Sequence, residues 1–154
     1  ATGHTDAVAL GIMVETPAAA VTSALLAGEA DFLSIGTNDL TQYALAMDRG
    51  NPAVAASLDG LHPAILHLIG QTCDGAAARG RWTGICGGLA SDPLAIPILI
   101  GLGVTELSSA PALVPEIKAM IGTLTMPACR ALARDALNCS SAAEVRALAR
   151  EFRP

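Results

Sequence analysis

Apolar positions along the chain fall into four short runs, separated by longer segments with helical spacing. The runs are rich in β-branched or other apolar residues, and they cover Leu10–Glu15, Phe32–Gly36, Trp82–Cys86 and Glu106–Ser109. Short apolar runs that alternate with helical segments are typical of parallel strands joined by right-handed crossovers. The pattern therefore predicts an α/β protein in which each of four parallel strands is followed by one or more helices.

The segments between the strands carry helix start and stop signals. Thr16 is a candidate N-cap with Pro17 as the first helical residue, and this helix should end near Gly28. Asp92 should cap the helix after the third strand, and Ser141–Glu144 forms a capping-box pattern. The other predicted helices span Leu40–Asp48, Pro63–Ala78, Pro93–Gly101, Val114–Ile121, Ala128–Leu137 and Ala142–Phe152.

Two architectures fit this alternation, an open doubly wound sheet and a (βα)8 barrel. A complete barrel needs eight strands and about 200–250 residues. The chain has 154 residues, and its pattern contains four strands, so a barrel would be represented by half of its strands. In either case we expect residues 1–154 to form a single structural segment.

Composition favours a tightly packed core and argues against two classes of protein. Hydrophobic residues make up 52% of the chain and aromatic residues 3%, which suits helices of small aliphatic residues packed on parallel strands. Apolar runs such as Leu94–Leu102 are far shorter than the ~20 residues of a membrane span. The net charge of −5, with scattered basic residues, argues against a nucleic-acid partner.

The cysteines and the first residues bear on location and completeness. The four cysteines have neither the CxxC spacing of a zinc site nor the density of a disulfide scaffold, so we predict reduced thiols and a cytoplasmic protein. Cys73, Cys129 and Cys139 fall in helical patterns and are assigned to packing. Because the chain begins at Ala1 without a signal-peptide pattern, we expect it to be a piece of a longer protein.

Polar residues follow the ends of the predicted strands. Glu15 ends the first strand, Asn38 and Asp39 follow the second, and Cys86 ends the third. The carboxyl ends of parallel strands meet at one edge, and neighbouring strands lie about 4.8 Å apart. Carboxylates at such ends suit magnesium, which binds one or two of them together with ligand oxygens. We therefore predict Glu15 and Asp39 as metal ligands, and Asn38 and Arg49 as donors to an anionic ligand.

Structural roles are the alternatives for the same residues. Glu15 could be a solvated residue or a helix cap, and Asn38–Asp39 could form a turn in which Asp39 caps the next helix. Cys86 could be a small buried apolar residue. His62 and His67 are predicted to be a helix start and a position on a helix face rather than ligands.

Four motifs, in this order and spacing, resemble one family. The motifs are GIMVETPAA, DFLSIGTNDLTQYALAMDRGN, WTGICGGLASDP and GVTELSSAPALVPEIK, and they cover nearly the whole chain. They resemble the C-terminal half of the phosphoenolpyruvate-binding barrel of Enzyme I, the phosphoenolpyruvate–protein phosphotransferase of the bacterial sugar phosphotransferase system. CGGLASDP is similar to the multiphosphoryl transfer proteins of the fructose branch, in which this module is fused to a histidine carrier and a sugar-specific domain.

The resemblance implies strands five to eight of a TIM barrel with additional C-terminal helices. It also implies an enzyme that transfers the phosphoryl group of phosphoenolpyruvate to a histidine of a separate domain and releases pyruvate. Glu15 and Asp39 match the family's magnesium ligands, and Asn38 and Arg49 match residues that contact the phosphoryl group. Cys86 matches the cysteine that protonates the enolate carbon. A downstream histidine carrier protein is a further implied partner.

The resemblance also sets expectations for the chain by itself. The chain contains no counterpart of the family's phosphohistidine domain or of its arginines on the earlier strands, so we expect the chain to be inactive alone. Half a barrel would expose two strand edges and inward-facing apolar side chains, so we expect a homo-oligomer. The alternatives are another phosphoenolpyruvate or pyruvate enzyme, such as a dikinase, a synthase or a metal-dependent lyase, and a non-catalytic assembly module.

Overall fold

A four-stranded parallel sheet forms the centre of the fold. The computed structural model describes residues 8–153, and His4 lies outside this range. The strands are β1 (Gly11–Val14), β2 (Phe32–Gly36), β3 (Trp82–Cys86) and β4 (Glu106–Leu107), in the order β1-β2-β3-β4. Because the order never reverses, the sheet lacks the switch point of a doubly wound fold. The predicted α/β half barrel is confirmed.

Most predicted helices are present, with differences at their ends. The helices are α1 (Pro17–Val21), α2 (Ser23–Leu26), α3 (Thr37–Leu45), α4 (Pro52–Ala55), α5 (Pro63–Ala77), α6 (Ile96–Gly101), α7 (Val114–Ile121), α8 (Met126–Leu137) and α9 (Ala142–Glu151). The first predicted helix is split at Thr22, whose hydroxyl donates to the Ala18 carbonyl oxygen at 2.8 Å. α6 begins three residues late because Pro97 lacks the N–H that would bond to the Pro93 carbonyl. α4 was not predicted from the sequence.

The two faces of the sheet have different environments. One face packs against the helices and is fully buried at Val14, Leu33, Ile35 and Ile85. The opposite face, which we call the open face, would line the interior of a complete barrel. It carries the stacked rings of Phe32 and Trp82, whose centroids lie 4.3 Å apart. Met13, on the same face, is 49% exposed, so the open face meets solvent.

The C-terminal helices complete the layer that covers the sheet. α8 lies so close to α6 that a Cβ at Gly101 would collide with the Cys129 carbonyl oxygen. α9 is capped as predicted, because the Ser141 hydroxyl accepts the Glu144 N–H at 3.2 Å. The Glu144 carboxylate in turn accepts the Ser140 N–H at 2.8 Å. No helix within residues 8–153 has the length and apolar character that crossing a membrane requires.

The four cysteines are free thiols in different settings. Cys73 on α5 and Cys129 on α8 are buried, which confirms their packing role. Burial raises the pKa of Cys73 to about 12, so this thiol stays protonated. Cys139 is half-buried and follows the end of α8 instead of lying in a helix.

Candidate active site

Four of the five predicted site residues lie at the carboxyl ends of β1, β2 and β3, and Arg49 lies after α3. Glu15 directly follows β1, and its side chain lies across Gly36 at the end of β2. A Cβ added at Gly36 would come 2.5 Å from Oε1 of Glu15, so this carboxylate occupies the space of a missing side chain. Gly36 is the register partner of Cys86 on β3. The Glu15 carboxylate therefore lies over β2, one strand away from Cys86.

The Cys86 thiol lies on the open face of the sheet. Its sulfur is 3.5 Å from the Ile35 carbonyl oxygen and 3.8 Å from the Met13 sulfur. The Ser34 hydroxyl, on the same face, is 4.0 Å away. Cys86 is half-buried, unlike Cys73 and Cys129 in the helices. The thiol can therefore meet a ligand that enters from the barrel interior.

The start of α3 is bonded to the end of β3. The helix begins at Thr37, earlier than the predicted Leu40, and the Thr37 hydroxyl donates to the Cys86 carbonyl oxygen at 2.9 Å. The Gly88 N–H donates to Oδ1 of Asn38 at 3.1 Å. This bond uses the carbonyl end of the Asn38 amide and leaves its amino group as a donor for a ligand.

Gly87 lies between these contacts and must be glycine for two reasons. Its φ of 96° is in the region that residues with a side chain avoid. A Cβ there would also come 2.6 Å from Oγ1 of Thr37 and 3.0 Å from Oδ1 of Asn38. Gly87 therefore lets the end of β3 approach α3, a role that became clear only from the structure.

Asp39 and Arg49 form an ion pair. The Nη2–Oδ1 distance is 3.0 Å, with the Arg49 side chain 52% exposed and the Asp39 side chain 29%. The Arg49 backbone N–H also donates to Oε1 of Gln42 at 3.1 Å, which holds the segment after α3 beside that helix. An ion pair this exposed contributes only about 0–1 kcal/mol, so a ligand could replace it at little cost.

A cavity of about 460 Å³ adjoins these residues and has the size of a small-molecule site. Its wall includes the two predicted substrate-binding residues and four that were not predicted: Asn38, Arg49, Asp59, Gly88, Asp92 and Arg146. Glu15 and Cys86 lie on the open face instead. The structure thus places Asn38 and Arg49 in one cavity and Cys86 and Glu15 on a neighbouring surface.

Arg146 of α9 joins two acidic residues in the cavity wall. Its guanidinium donates to both oxygens of Asp59, at 2.6 and 2.8 Å, and to Oδ2 of Asp92 at 3.0 Å. Burial raises the pKa of Asp59, but the Arg146 and Leu61 hydrogen bonds outweigh burial and hold it below the ordinary value. The hydrogen bond to Asp59 raises the pKa of Arg146 above its ordinary value.

Sequence reasoning missed this group because no motif connects its members. Arg146 is 87 residues from Asp59 and 54 residues from Asp92 along the chain. An arginine within an amphipathic helix is ordinarily a solvated residue. The only local signal was Asp92 before Pro93, which was interpreted as a helix cap alone.

The carboxylates fit a magnesium ion by their chemistry. Glu15 and Asp39 provide hard oxygen donors, both are half-buried, and they follow the ends of adjacent strands. Within residues 8–153, no group of three or more His, Cys, Asp or Glu side chains is placed to hold a metal ion. Two carboxylates match the number that magnesium uses when ligand phosphate and water complete its coordination. The assignment of Glu15 and Asp39 remains a prediction.

Comparison with known proteins identifies the family. A family model described as "PEP-utilising enzyme, PEP-binding domain" matches residues 1–126. A multiphosphoryl transfer protein of Xanthomonas campestris pv. campestris is 54% identical over 139 residues, which are 90% of this chain and 17% of that protein. A phosphoenolpyruvate-protein phosphotransferase of Haemophilus influenzae is 48% identical over 143 residues, 93% of this chain and 25% of that protein.

A third relative extends the match to the C-terminal helices. Multiphosphoryl transfer protein 1 of Escherichia coli K12 is 42% identical over 151 residues, 98% of this chain and 18% of that protein. The chain thus spans between 17% and 25% of the length of these three relatives. The family match covers all four strands and the predicted site residues, whereas the similarity to the Escherichia coli relative also includes α8 and α9. The chain belongs to the family of PEP-utilising enzymes, and its residues 1–126 match the model of the PEP-binding domain.

Proposed function

We propose that the chain is half of the phosphoenolpyruvate-binding barrel of a phosphoenolpyruvate-protein phosphotransferase. The complete protein would add the other four strands and a domain with the phosphorylated histidine. One observation carries the proposal: Glu15 follows β1, the Asn38–Asp39 pair follows β2, and Cys86 ends β3, so all lie at the same edge of three adjacent parallel strands. Active sites of barrel enzymes are built at that edge. Family membership and the names of the relatives support the same activity.

The proposed roles follow from the chemistry of each group. The Asn38 amino group and the Arg49 guanidinium would donate to phosphoryl oxygens, since the guanidinium fork matches two of them at once. Glu15 and Asp39 would hold magnesium, which when bound supplies positive charge near the phosphoryl and enolate oxygens. A fixed array of such donors stabilises developing negative charge without reorganisation during the reaction.

The reaction breaks the bond between phosphorus and the enol oxygen of phosphoenolpyruvate. A new bond forms between phosphorus and a nitrogen of the histidine on the separate domain. The enolate that remains takes the proton of the Cys86 thiol on its terminal carbon and becomes pyruvate, and the thiolate regains a proton from solvent. A neutral thiol carries a transferable proton and can act as this acid.

The test uses the complete natural protein that contains this chain. Titration calorimetry with phosphoenolpyruvate, with and without magnesium, should show metal-dependent binding, and labelled phosphoenolpyruvate should phosphorylate the protein. Cys86→Ala should abolish turnover while phosphoenolpyruvate and magnesium still bind, whereas Cys139→Ala, a second half-buried thiol, should leave turnover unchanged. Full turnover by the Cys86→Ala variant would instead favour a metal-dependent lyase. A non-catalytic assembly module would show no metal-dependent binding.

The exposed open face should promote association of the chain with another polypeptide. Within residues 8–153, β1 and β4 are the edges of the sheet, and Met13 on β1 and Trp82 on β3 are exposed on the open face. Exposed edges and apolar side chains promote pairing with another chain. In the proposed protein the missing half of the barrel, or a second copy, covers this face. We therefore expect light scattering to show that the isolated chain self-associates; a monomer at high concentration would contradict this expectation.

The proposed activity also sets the cellular setting. As a phosphotransferase of sugar uptake, the protein would pass its phosphoryl group to a histidine carrier protein in the cytoplasm. The four free thiols are compatible with a reducing compartment. Fractionation of the source cells and transfer of label to added carrier protein would test both points.

A further inference from the structure

The ion-pair group of Arg146, Asp59 and Asp92 forms part of the cavity wall next to Asn38. Arg146 binds Asp59 through a two-bond fork and Asp92 through a third hydrogen bond, with distances from 2.6 to 3.0 Å. The three side chains are between 22% and 29% exposed. Bidentate arginine–carboxylate pairs in partly desolvated sites are among the strongest and most directional polar contacts. The group therefore fixes the relative positions of the segments that carry these residues.

The contact with Asp92 reaches the turn that follows β3. Asp92 ends a 3-10 turn over Gly88–Ser91, and its N–H donates to the Leu89 carbonyl oxygen at 3.2 Å. The other side-chain oxygen of Asp92, Oδ1, accepts the Leu94 N–H at 2.9 Å. At the other end of the turn, the Gly88 N–H donates to Oδ1 of Asn38. The turn is thus held by Arg146 at one end and by Asn38 at the other.

The contact with Asp59 fixes the opposite part of the cavity wall. Oδ1 of Asp59 also accepts the Leu61 N–H at 3.0 Å, which orders the loop before α5. The next residue, Gly60, packs on Leu89 of the 3-10 turn so closely that a Cβ would come 2.9 Å from the leucine side chain. Asp59 and Asp92 therefore hold two segments that touch each other, and Arg146 links both to α9.

α9 is also docked by apolar side chains, so the Arg146 bonds are not its sole attachment. Val145 is fully buried and Ala149 is 9% exposed, and both belong to the hydrophobic core. Leu148 and Phe152 pack against the same core. Burial of these apolar side chains stabilises the docked helix independently of the ion pairs. The polar bonds of Arg146 are therefore additional to the apolar contacts that attach α9.

We propose that Arg146 is a positioning residue: through Asp92 and Asp59 it sets the Gly88 turn, which orients the Asn38 amide for the ligand. The link to phosphoenolpyruvate rests on the proposed function. Arg146 lies beyond residues 1–126, the part matched by the family model, so α9 contributes to the site from outside that part. Arg146 does not contact the reacting atoms in this role, because it acts through two carboxylates and a turn.

The experiment compares Arg146→Met with Arg150→Met in the complete natural protein. Arg150 is one turn further along α9 and exposed, so it is a matched control. Arg146→Met should raise the KM for phosphoenolpyruvate about tenfold, because small misplacement of a binding group has large effects. The value of kcat should change less, and Arg150→Met should change neither constant. A lowered melting temperature with an unchanged KM would overturn the inference and leave Arg146 a merely structural residue.

A second measurement does not depend on activity. Amide hydrogen exchange at Gly88 in the ligand-free protein should become about fivefold faster in Arg146→Met, as for a weakened hydrogen bond. Unchanged exchange at Gly88 would overturn the inference even in an active enzyme. Faster exchange in a protein that never binds phosphoenolpyruvate would support the positioning of the turn and refute the proposed function.

A third experiment measures whether the effects of replacing Arg146 and Asp92 depend on each other. Asp92→Asn should raise the KM less than Arg146→Met, and the double variant should resemble Arg146→Met because both changes break one connection. Additive effects would mean that Arg146 and Asp92 act separately, which would overturn the inference. If Arg146→Met fails to fold, Arg146→Lys keeps the charge without the fork, and the same shifts in KM and Gly88 exchange are expected in smaller size.

Discussion

Replacing Gly36 with alanine should displace the Glu15 carboxylate and weaken metal-dependent ligand binding. The new methyl carbon would lie 2.5 Å from Oε1 and 2.7 Å from Cγ of Glu15, whereas ordinary contact begins at 3.4 Å. The Glu15 side chain must therefore move by about 0.9 Å or rotate away. The backbone is not the obstacle, since φ at Gly36 is −84°, which alanine can adopt. A displacement of about 1 Å at a reacting centre can cost about 100-fold in rate.

The assay is phosphoenolpyruvate-dependent phosphorylation of the complete natural protein at several magnesium concentrations. Gly36→Ala should raise the magnesium concentration for half-maximal rate and lower kcat/KM by about 10- to 100-fold. Gly122→Ala is the control, because its new carbon would meet the Ala119 carbonyl oxygen at an ordinary 3.4 Å. Wild-type magnesium dependence in a folded Gly36→Ala protein would refute the assignment of Glu15 as a metal ligand.

Further changes test the packing, the cavity and the pH dependence. Gly101→Ala forces α6 and α8 apart at the Cys129 carbonyl and should lower the free energy of unfolding by about 1–3 kcal/mol in urea titrations; unchanged stability would contradict this close packing. Arg49→Lys keeps the charge but loses the fork, and should weaken phosphoenolpyruvate binding about tenfold by calorimetry; equal affinity would contradict its proposed role. The pKa of Asp59 in the folded protein lies below its ordinary 3.8. The ionised Asp59 therefore contributes fully to folding stability above pH 3.8, and this contribution is lost as the pH falls through the pKa of the folded protein. In Asp59→Asn, the free energy of unfolding should therefore decrease less steeply as the pH falls in the acid range. An unchanged dependence on pH would contradict this.

The strands were predictable because their patterns are local. β2 and β3 have the predicted bounds, since each is a short apolar run bounded by polar or small residues. Helix ends were less predictable where side chains compete with the backbone. Thr22 splits the first helix by bonding to the Ala18 carbonyl oxygen, and Pro97 delays the start of α6. Both effects depend on which backbone N–H or carbonyl group lacks its hydrogen-bond partner within the helix.

The candidate site could be predicted only in part. The strand-end positions of Glu15 and Cys86 follow from the parallel alternation, and the structure places both at the predicted edge. The Asp39–Arg49 ion pair and the bond between Gly88 and Asn38 require a specific loop path, which composition and spacing do not describe. The catalytic and metal-binding roles of these residues remain predictions for the experiments above.

The sequence by itself determined the α/β class, the number and direction of the strands and the edge at which the polar residues collect. These properties follow from hydrophobic periodicity and from the handedness of crossovers, which act over a few residues or one unit. Only the tertiary structure decided that Arg146 meets Asp59 and Asp92 across 87 and 54 residues of chain. Such contacts depend on how α9 docks on the core, because a guanidinium selects its carboxylates by distance and direction in space rather than by spacing in the sequence.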